Sequence, residues 1–196
     1  MTSMTRNSLA PLWILVHLGP LLLVPLVTHS LHTAIGIDRA AAVGHLIILS
    51  WIAAGETYLL RSLVSRPRAW AWRTAFGLAI AVVAGLVVMS TIDLRGYDAL
   101  ATVFGMVAAG LVLGVVQAPA QRRPSWRWVV ASLVGWLVGA FVFRLVVLTL
   151  AGMSLGGFKP FALAYNAGHN ELLWLSVGVA FHGLATVWNV TALARS

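Results

Sequence analysis

The sequence predicts an all-α integral membrane bundle of six transmembrane helices with both termini cytoplasmic. Three observations predict it. The 196 residues are 60% hydrophobic and only 9% charged, whereas soluble domains carry about 25% charged residues. So few charges cannot cover a water-facing surface, so lipid must be the main solvent. Six apolar stretches are each long enough to cross a hydrocarbon core of about 30 Å, which takes roughly 20 residues. The basic residues then segregate by loop in the way that membrane topology demands.

The spans are expected near residues 9–31, 40–62, 72–92, 99–118, 127–151 and 171–193. The first contains Pro11, Pro20 and Pro25, with Gly19 beside Pro20. Proline removes a helical hydrogen bond and crowds the preceding turn, so this span is expected to kink near Gly19–Pro20 or to break there. Its apolar run exceeds a signal-peptide core and no A-x-A site follows, so it reads as a retained helix. The second span, "HLIILSWIAAGETYLLRSLV" (45–64), carries Glu56. The third opens on "WAWR", and the fourth and fifth flank the short turn "QAPAQRRPSWR". The last long connection, residues 152–170, is apolar and aromatic and is expected to lie on the bilayer surface or against a partner. No linker or low-complexity tail divides the chain, which reads as a single domain over 1–196.

Arg6, the group Arg61, Arg66, Arg68 and Arg73, the group Arg122, Arg123 and Arg127, and Arg195 fall on one side of this topology. Arg39, Arg95 and Lys159 fall on the other, with Asp38, Asp93, Asp98 and Glu171. The excess of arginine marks the cytoplasmic side. Trp13, Trp70, Trp72, Trp126, Trp128 and Trp188 lie near that face and Trp174 near the outer one, as an aromatic belt would. The net charge of +8 is therefore read as topology signal and contact with anionic lipid, not as a nucleic-acid surface. The chain has no cysteine, which excludes disulfides, thiolate metal sites, iron–sulfur clusters and cysteine nucleophiles.

Small residues recur at four-residue spacing in two neighbouring spans. Ala101, Gly105 and Ala109, and Gly110, Gly114 and Ala118, share faces of the fourth; Ala131, Gly135 and Gly139 share a face of the fifth. Such faces let helix backbones approach closely. The stretch "GLVLGVVQAPAQRRPSWRWVVASLVGWLVG" (110–139), a glycine-spaced helix, a glutamine, paired arginines, tryptophans and a "GW..G" helix, resembles a hairpin of uncharacterised polytopic membrane proteins of Cyanobacteria and Chloroflexota. That resemblance implies membrane architecture and a bacterial cytoplasmic membrane, and it brings no activity with it. Six helices in about 200 residues are also similar in size to the substrate-binding components of energy-coupling-factor vitamin transporters.

A carboxylate in hydrocarbon costs about 2.5–3.5 kcal/mol on insertion scales. Glu56 lies roughly 9 Å and His17 roughly 12 Å from the cytoplasmic face by helical rise. Two arrangements satisfy Glu56: it reaches the headgroups and pairs with Arg61 or another basic loop residue, or it shares a proton with His17 in the interior as an ion or proton site. Arg144 must snorkel outward, pair with Glu171, Asp93 or Asp98, or hold an anion, a lipid headgroup or a cofactor carboxylate. His17, His45 and His182 lie within spans, where they either hydrogen-bond between helices or bind haem or a chlorophyll-type pigment. By depth only His17 and His182 are mates for a bis-His haem. On the outer side, His29 and His32 with His169, Glu171 or Asp38 form a candidate zinc or copper site.

No Walker A, GxGxxG, GxSxG or HExxH pattern is present, and the chain has five acidic residues in all, so no catalytic residue is assigned and an enzyme is not expected. The sequence favours a non-catalytic subunit of a larger membrane assembly, bioenergetic or photosynthetic, with lipids and other membrane subunits as partners. The alternative is a small-molecule or ion transporter, or its substrate-binding component, using Glu56, His17 and Arg144.

Overall fold

In lipid no water is available to the backbone, so each span must satisfy its own peptide groups and becomes a helix. The computed structural model describes residues 6–64, 66–93, 98–120, 126–155 and 167–193. Among these residues the chain forms six α-helices and no strand: α1 (Arg6–Ile35), α2 (Ile37–Leu60), α3 (Pro67–Asp93), α4 (Asp98–Gln117), α5 (Trp126–Leu155) and α6 (Ala167–Leu193). Five, α2 to α6, contain segments long and apolar enough to cross a membrane; in α1 the described apolar segment is Ser8–Leu23. Each helix packs on the next in chain order, and α6 closes back on α1. Neighbouring helices run antiparallel, since side chains near the start of one meet side chains near the end of the other, as Trp13 meets Thr186 and Thr74 meets Gln117. Large apolar side chains such as Leu22, Phe76, Val83, Phe141 and Leu145 stay exposed on the outside, where acyl chains would cover them.

Several helix ends differ from expectation. Helix α1 extends to Ile35 and α2 begins at Ile37, so Gly36 alone joins them. Gly36 has φ +82°, a conformation that side chains disfavour and glycine adopts freely. Helices α5 and α6 likewise extend into the stretch expected as a loop, and residues 156–166 between them lie outside the described residues.

Helix α1 is continuous past Gly19–Pro20, not broken. Pro20 has no N–H, which leaves the Val16 carbonyl without its helical donor. The Trp51 indole N–H donates to that carbonyl at 2.8 Å. Gly19 makes room for the indole, because a Cβ there would lie 2.9 Å from Trp51 Nε1. Sequence, local defect and interhelical contact are thus one feature that locks α1 to α2. Trp51→Phe keeps a ring and removes the donor. It is expected to cost about 1–3 kcal/mol, the cost of a carbonyl left unpaired away from water. Thermal unfolding in detergent measures this, and an unchanged midpoint would contradict the repair.

The packing glycines split between three interfaces. A Cβ on Gly105 would meet Met89 and Gly85 of α3; on Gly110 and Gly114 it would meet Trp136 and Ser132 of α5. On Gly135 and Gly139 it would meet the α6 backbone at Phe181 and Gly178. The helix 4 and helix 5 stripes therefore do not simply face one another: Gly110 and Gly114 make the α4–α5 contact, and the α5 glycines serve α6.

The interior holds two apolar clusters. The larger includes Ile48, Ile52, Leu78, Met106, Leu113 and Trp174. The smaller, at the end where α1, α3 and α5 begin, includes Leu9, Trp13, Leu60, Trp70, Trp128 and Val190. A polar centre contacts both.

Candidate functional site

Six helices each bring polar side chains to this centre. On α2, buried Ile52, Glu56, Leu59 and Leu60 share one face, as i, i+3 and i+4 spacing requires. Glu56 is fully buried on that face. Arg61 is exposed, its guanidinium 4.3 Å above the Tyr58 ring. The carboxylate thus turns into the bundle and does not pair with Arg61 at the surface.

The Glu56 carboxylate is enclosed by donors from three other helices. His17 Nε2 of α1 lies 3.0 Å from Oε1. Oε2 accepts from the Trp70 indole N–H at 2.9 Å, the Thr74 hydroxyl at 2.9 Å and the Gln117 amide N–H at 3.0 Å. Gln117 is held in that sense by its other end: the Trp128 indole N–H, which can only donate, gives its proton to Gln117 Oε1 at 3.1 Å. Carboxylates with several donors and a nearby cationic partner are stable in the interior where lone ones are not.

His17 Nδ1 lies 2.8 Å from the Trp13 carbonyl oxygen, which can only accept, so Nδ1 carries a proton. Oε2 accepts three bonds and needs none of its own. One proton therefore lies between Nε2 and Oε1, on imidazole or carboxyl, and either placement leaves the pair neutral overall.

His182 completes the group from α6. Its ring centroid is 5.7 Å from that of His17. Ser132 donates to the Gly110 carbonyl at 2.7 Å, so the Ser132 oxygen must accept from His182 Nδ1, 3.1 Å away. That leaves a bare lone pair on His182 Nε2. This nitrogen is buried and has no hydrogen-bond partner. One donor atom each from His17, Glu56 and His182 lies within 4.8 Å of the others.

A repeated local pattern builds the floor. Trp13–His17, Trp70–Thr74 and Trp128–Ser132 each set a buried tryptophan one turn before a buried polar residue. The three occur on α1, α3 and α5, which run the same way. Trp13 donates to the Gly183 carbonyl and to Thr186 at 3.1 and 3.2 Å. Trp70 and Trp128 meet edge to face at 5.4 Å between centroids. Trp13, Trp70 and Trp128 are thus interior groups, not members of an interfacial belt, and Trp174 is also buried. Trp72, Trp126 and Trp188 are exposed as belt residues should be. The belt rule specifies depth along a helix but not face.

Other sequence candidates lie elsewhere. His45 sits about three turns before Glu56 on α2, with Nδ1 against the Ala41 carbonyl at 2.9 Å, and does not join the group. A haem between His17 and His182 would have to displace Trp13 and Trp128, whose rings pack at 4.5 Å and 6.1 Å on these imidazoles. Arg144 is half-buried on α5 and is not among the residues around Glu56. The backbones of His29 and His32 fall in α1, and those of His169 and Glu171 in α6; the side chains of these four, and that of Asp38, lie outside the described residues. Trp70, Thr74, Gln117, Trp128, Ser132 and Thr186 were not expected in the site. The W-x3-polar repeat is the signal that marks three of the pairs. No family model, curated protein or solved structure matches the chain.

Proposed function

We propose that the protein is an ion-handling membrane protein of the transporter class whose working group is the buried His17–Glu56 pair. The chain would cross the membrane six times with both termini cytoplasmic, supported by the segregation of arginines between alternate loops, and a bacterial cytoplasmic membrane is supported by the resemblance of residues 110–139. The single observation that carries the function is the enclosure of Glu56: a fully buried carboxylate shares one proton with His17 while three donors hold its other oxygen. Intramembrane ionisable groups in such networks mark proton and ion pathways. A network held this firmly on one oxygen leaves the other free to exchange a proton for a cation. No substrate-level chemistry is assigned, and the reading is non-enzymatic.

The test is proton movement in proteoliposomes under an imposed gradient, read by an internal pH dye. Glu56→Gln is expected to fall to the level of protein-free vesicles, while Arg61→Gln keeps wild-type flux. Equal flux in wild type and Glu56→Gln would sink the reading. A second reading, a non-catalytic subunit of a larger assembly, draws support from an apolar groove on the outer face of α2, lined by Val43, Leu46, Ile47, Ser50 and Trp51. Native mass in mild detergent separates the two: a particle of one or two chains fits transport, and a large assembly fits the subunit.

A further inference from the structure

We infer that His17, Glu56 and His182 form a binding site for one divalent transition-metal ion of the zinc class, taken up in exchange for the proton between His17 and Glu56. The inference rests on the cation-handling reading and names the ion. Three observations carry it. The three donor atoms lie within 4.8 Å of one another in a buried setting. His182 Nε2 has no partner although it is wholly enclosed, and such a lone pair is costly unless something fills it. Both histidines are also fixed through Nδ1, His17 by the Trp13 carbonyl and His182 by Ser132. Metal-binding imidazoles are usually held in this way, with the far nitrogen bonded to an oxygen and the near one presented to the ion.

Glu56 follows the same plan. Trp70, Thr74 and Gln117 occupy Oε2, so Oε1 is the oxygen offered. Tetrahedral zinc, with bonds of about 2.0–2.2 Å, sets its ligand atoms about 3.3 Å apart. The His17–Glu56 separation of 3.0 Å is near that value, and the two edges to His182, each within 4.8 Å, close as its ring moves inward. Two imidazoles and one carboxylate suit zinc, iron(II) or cobalt(II); calcium and magnesium take oxygen ligands instead. Three protein ligands leave a fourth position open.

In the metal-free state one proton bridges Nε2 and Oε1. With the ion bound, both atoms donate lone pairs to the metal and that proton leaves. Each ion therefore releases one proton from the site, and the site's net charge rises from zero to +1.

The experiment uses the full chain in detergent, stripped with a chelator and titrated with Co2+ alone, then with Zn2+. Visible ligand-field bands are expected to saturate at one Co2+ per chain and to vanish on adding Zn2+. Calorimetry in buffers of different ionisation enthalpy is expected to give one proton released per ion. His182→Ala and Glu56→Gln are expected to lose the bands, and His45→Ala to keep them. If His182→Ala does not fold, Ser132→Ala replaces it and is expected to weaken binding about 10–100-fold through loss of the Nδ1 anchor. Absence of the bands in wild type, or their retention at full strength in His182→Ala or Glu56→Gln, overturns the site. Glu56-dependent proton flux without metal binding would overturn the metal inference and leave the proton reading standing. Metal binding without flux would uphold the site and overturn transport.

Discussion

Glu56→Ala is expected to be the most damaging single change in the bundle, at about 3–5 kcal/mol, the range for removing one partner of a buried charged network. The alanine would leave the donors of Trp70, Thr74 and Gln117 with no acceptor on α2, and would leave His17 facing a void. Each unpaired buried polar group costs about 1–3 kcal/mol, and the gap between helices adds a cavity. Glu56→Gln should behave very differently. Its amide oxygen can take the place of Oε2 beneath the same three donors, and its N–H can donate to the His17 Nε2 lone pair. It is expected to unfold within about 1 kcal/mol of wild type, as near-isosteric swaps do. The pair of variants thus separates holding the helices together from carrying an exchangeable proton. Denaturant unfolding in detergent measures both. Equal stability of the alanine and glutamine variants would show that the network does not hold the helices.

Gly135→Ala is expected to destabilise the chain by about 1–3 kcal/mol or more, the usual cost of overpacking, while Gly139→Ala stays close to wild type. The same helix face carries both, and spacing alone treats them as equals. A Cβ on Gly135 would lie 2.6 Å from the Phe181 carbonyl oxygen and 2.9 Å from the His182 Cα. Those are backbone atoms of α6, so relief requires moving a helix, and with it His182. At Gly139 the nearest atoms are 3.4 Å away, an ordinary contact. Thermal midpoints of the two variants test this, and equal losses would contradict the α5–α6 packing.

Much of the fold was legible because lipid leaves a segment little choice. Apolar length alone located six helices, and α2 and α4 were placed within three residues of their observed ends. The turn between α1 and α2 was not legible. Nothing in composition says that a single glycine at φ +82° joins them. Helix α1 is whole past Pro20, where the donor that replaces the missing N–H comes from Trp51 on another helix, and a proline rule applied to one segment cannot see that donor.

The site was half legible. Depth arithmetic brought His17 and Glu56 to similar levels on neighbouring antiparallel helices, where the structure pairs them. It left Arg61 as a competing partner, because depth ignores which way a side chain faces. Glu56 shares its face with Ile52 and Leu60, while Arg61 points away from it. Helices surrounded by lipid are apolar on every side, so no polar stripe marked the inner face. The neutral residues were hidden for another reason. Charges in a membrane draw attention, whereas Thr74, Gln117 and Ser132 are ordinary in sequence and matter only through what they touch.

The central claim is that Glu56 works inward, with His17, and not outward, with the basic face. A double-mutant cycle between His17 and Glu56, read as unfolding free energy in detergent, measures that coupling directly, using alanine at position 17, alanine at position 56, and the double variant. The structure predicts a coupling of about 1.5–3 kcal/mol, as for hydrogen bonds to charged groups, and none beyond about 0.5 kcal/mol in the matching cycle with Arg61→Gln. A negligible His17–Glu56 coupling alongside a substantial Arg61–Glu56 coupling would contradict it.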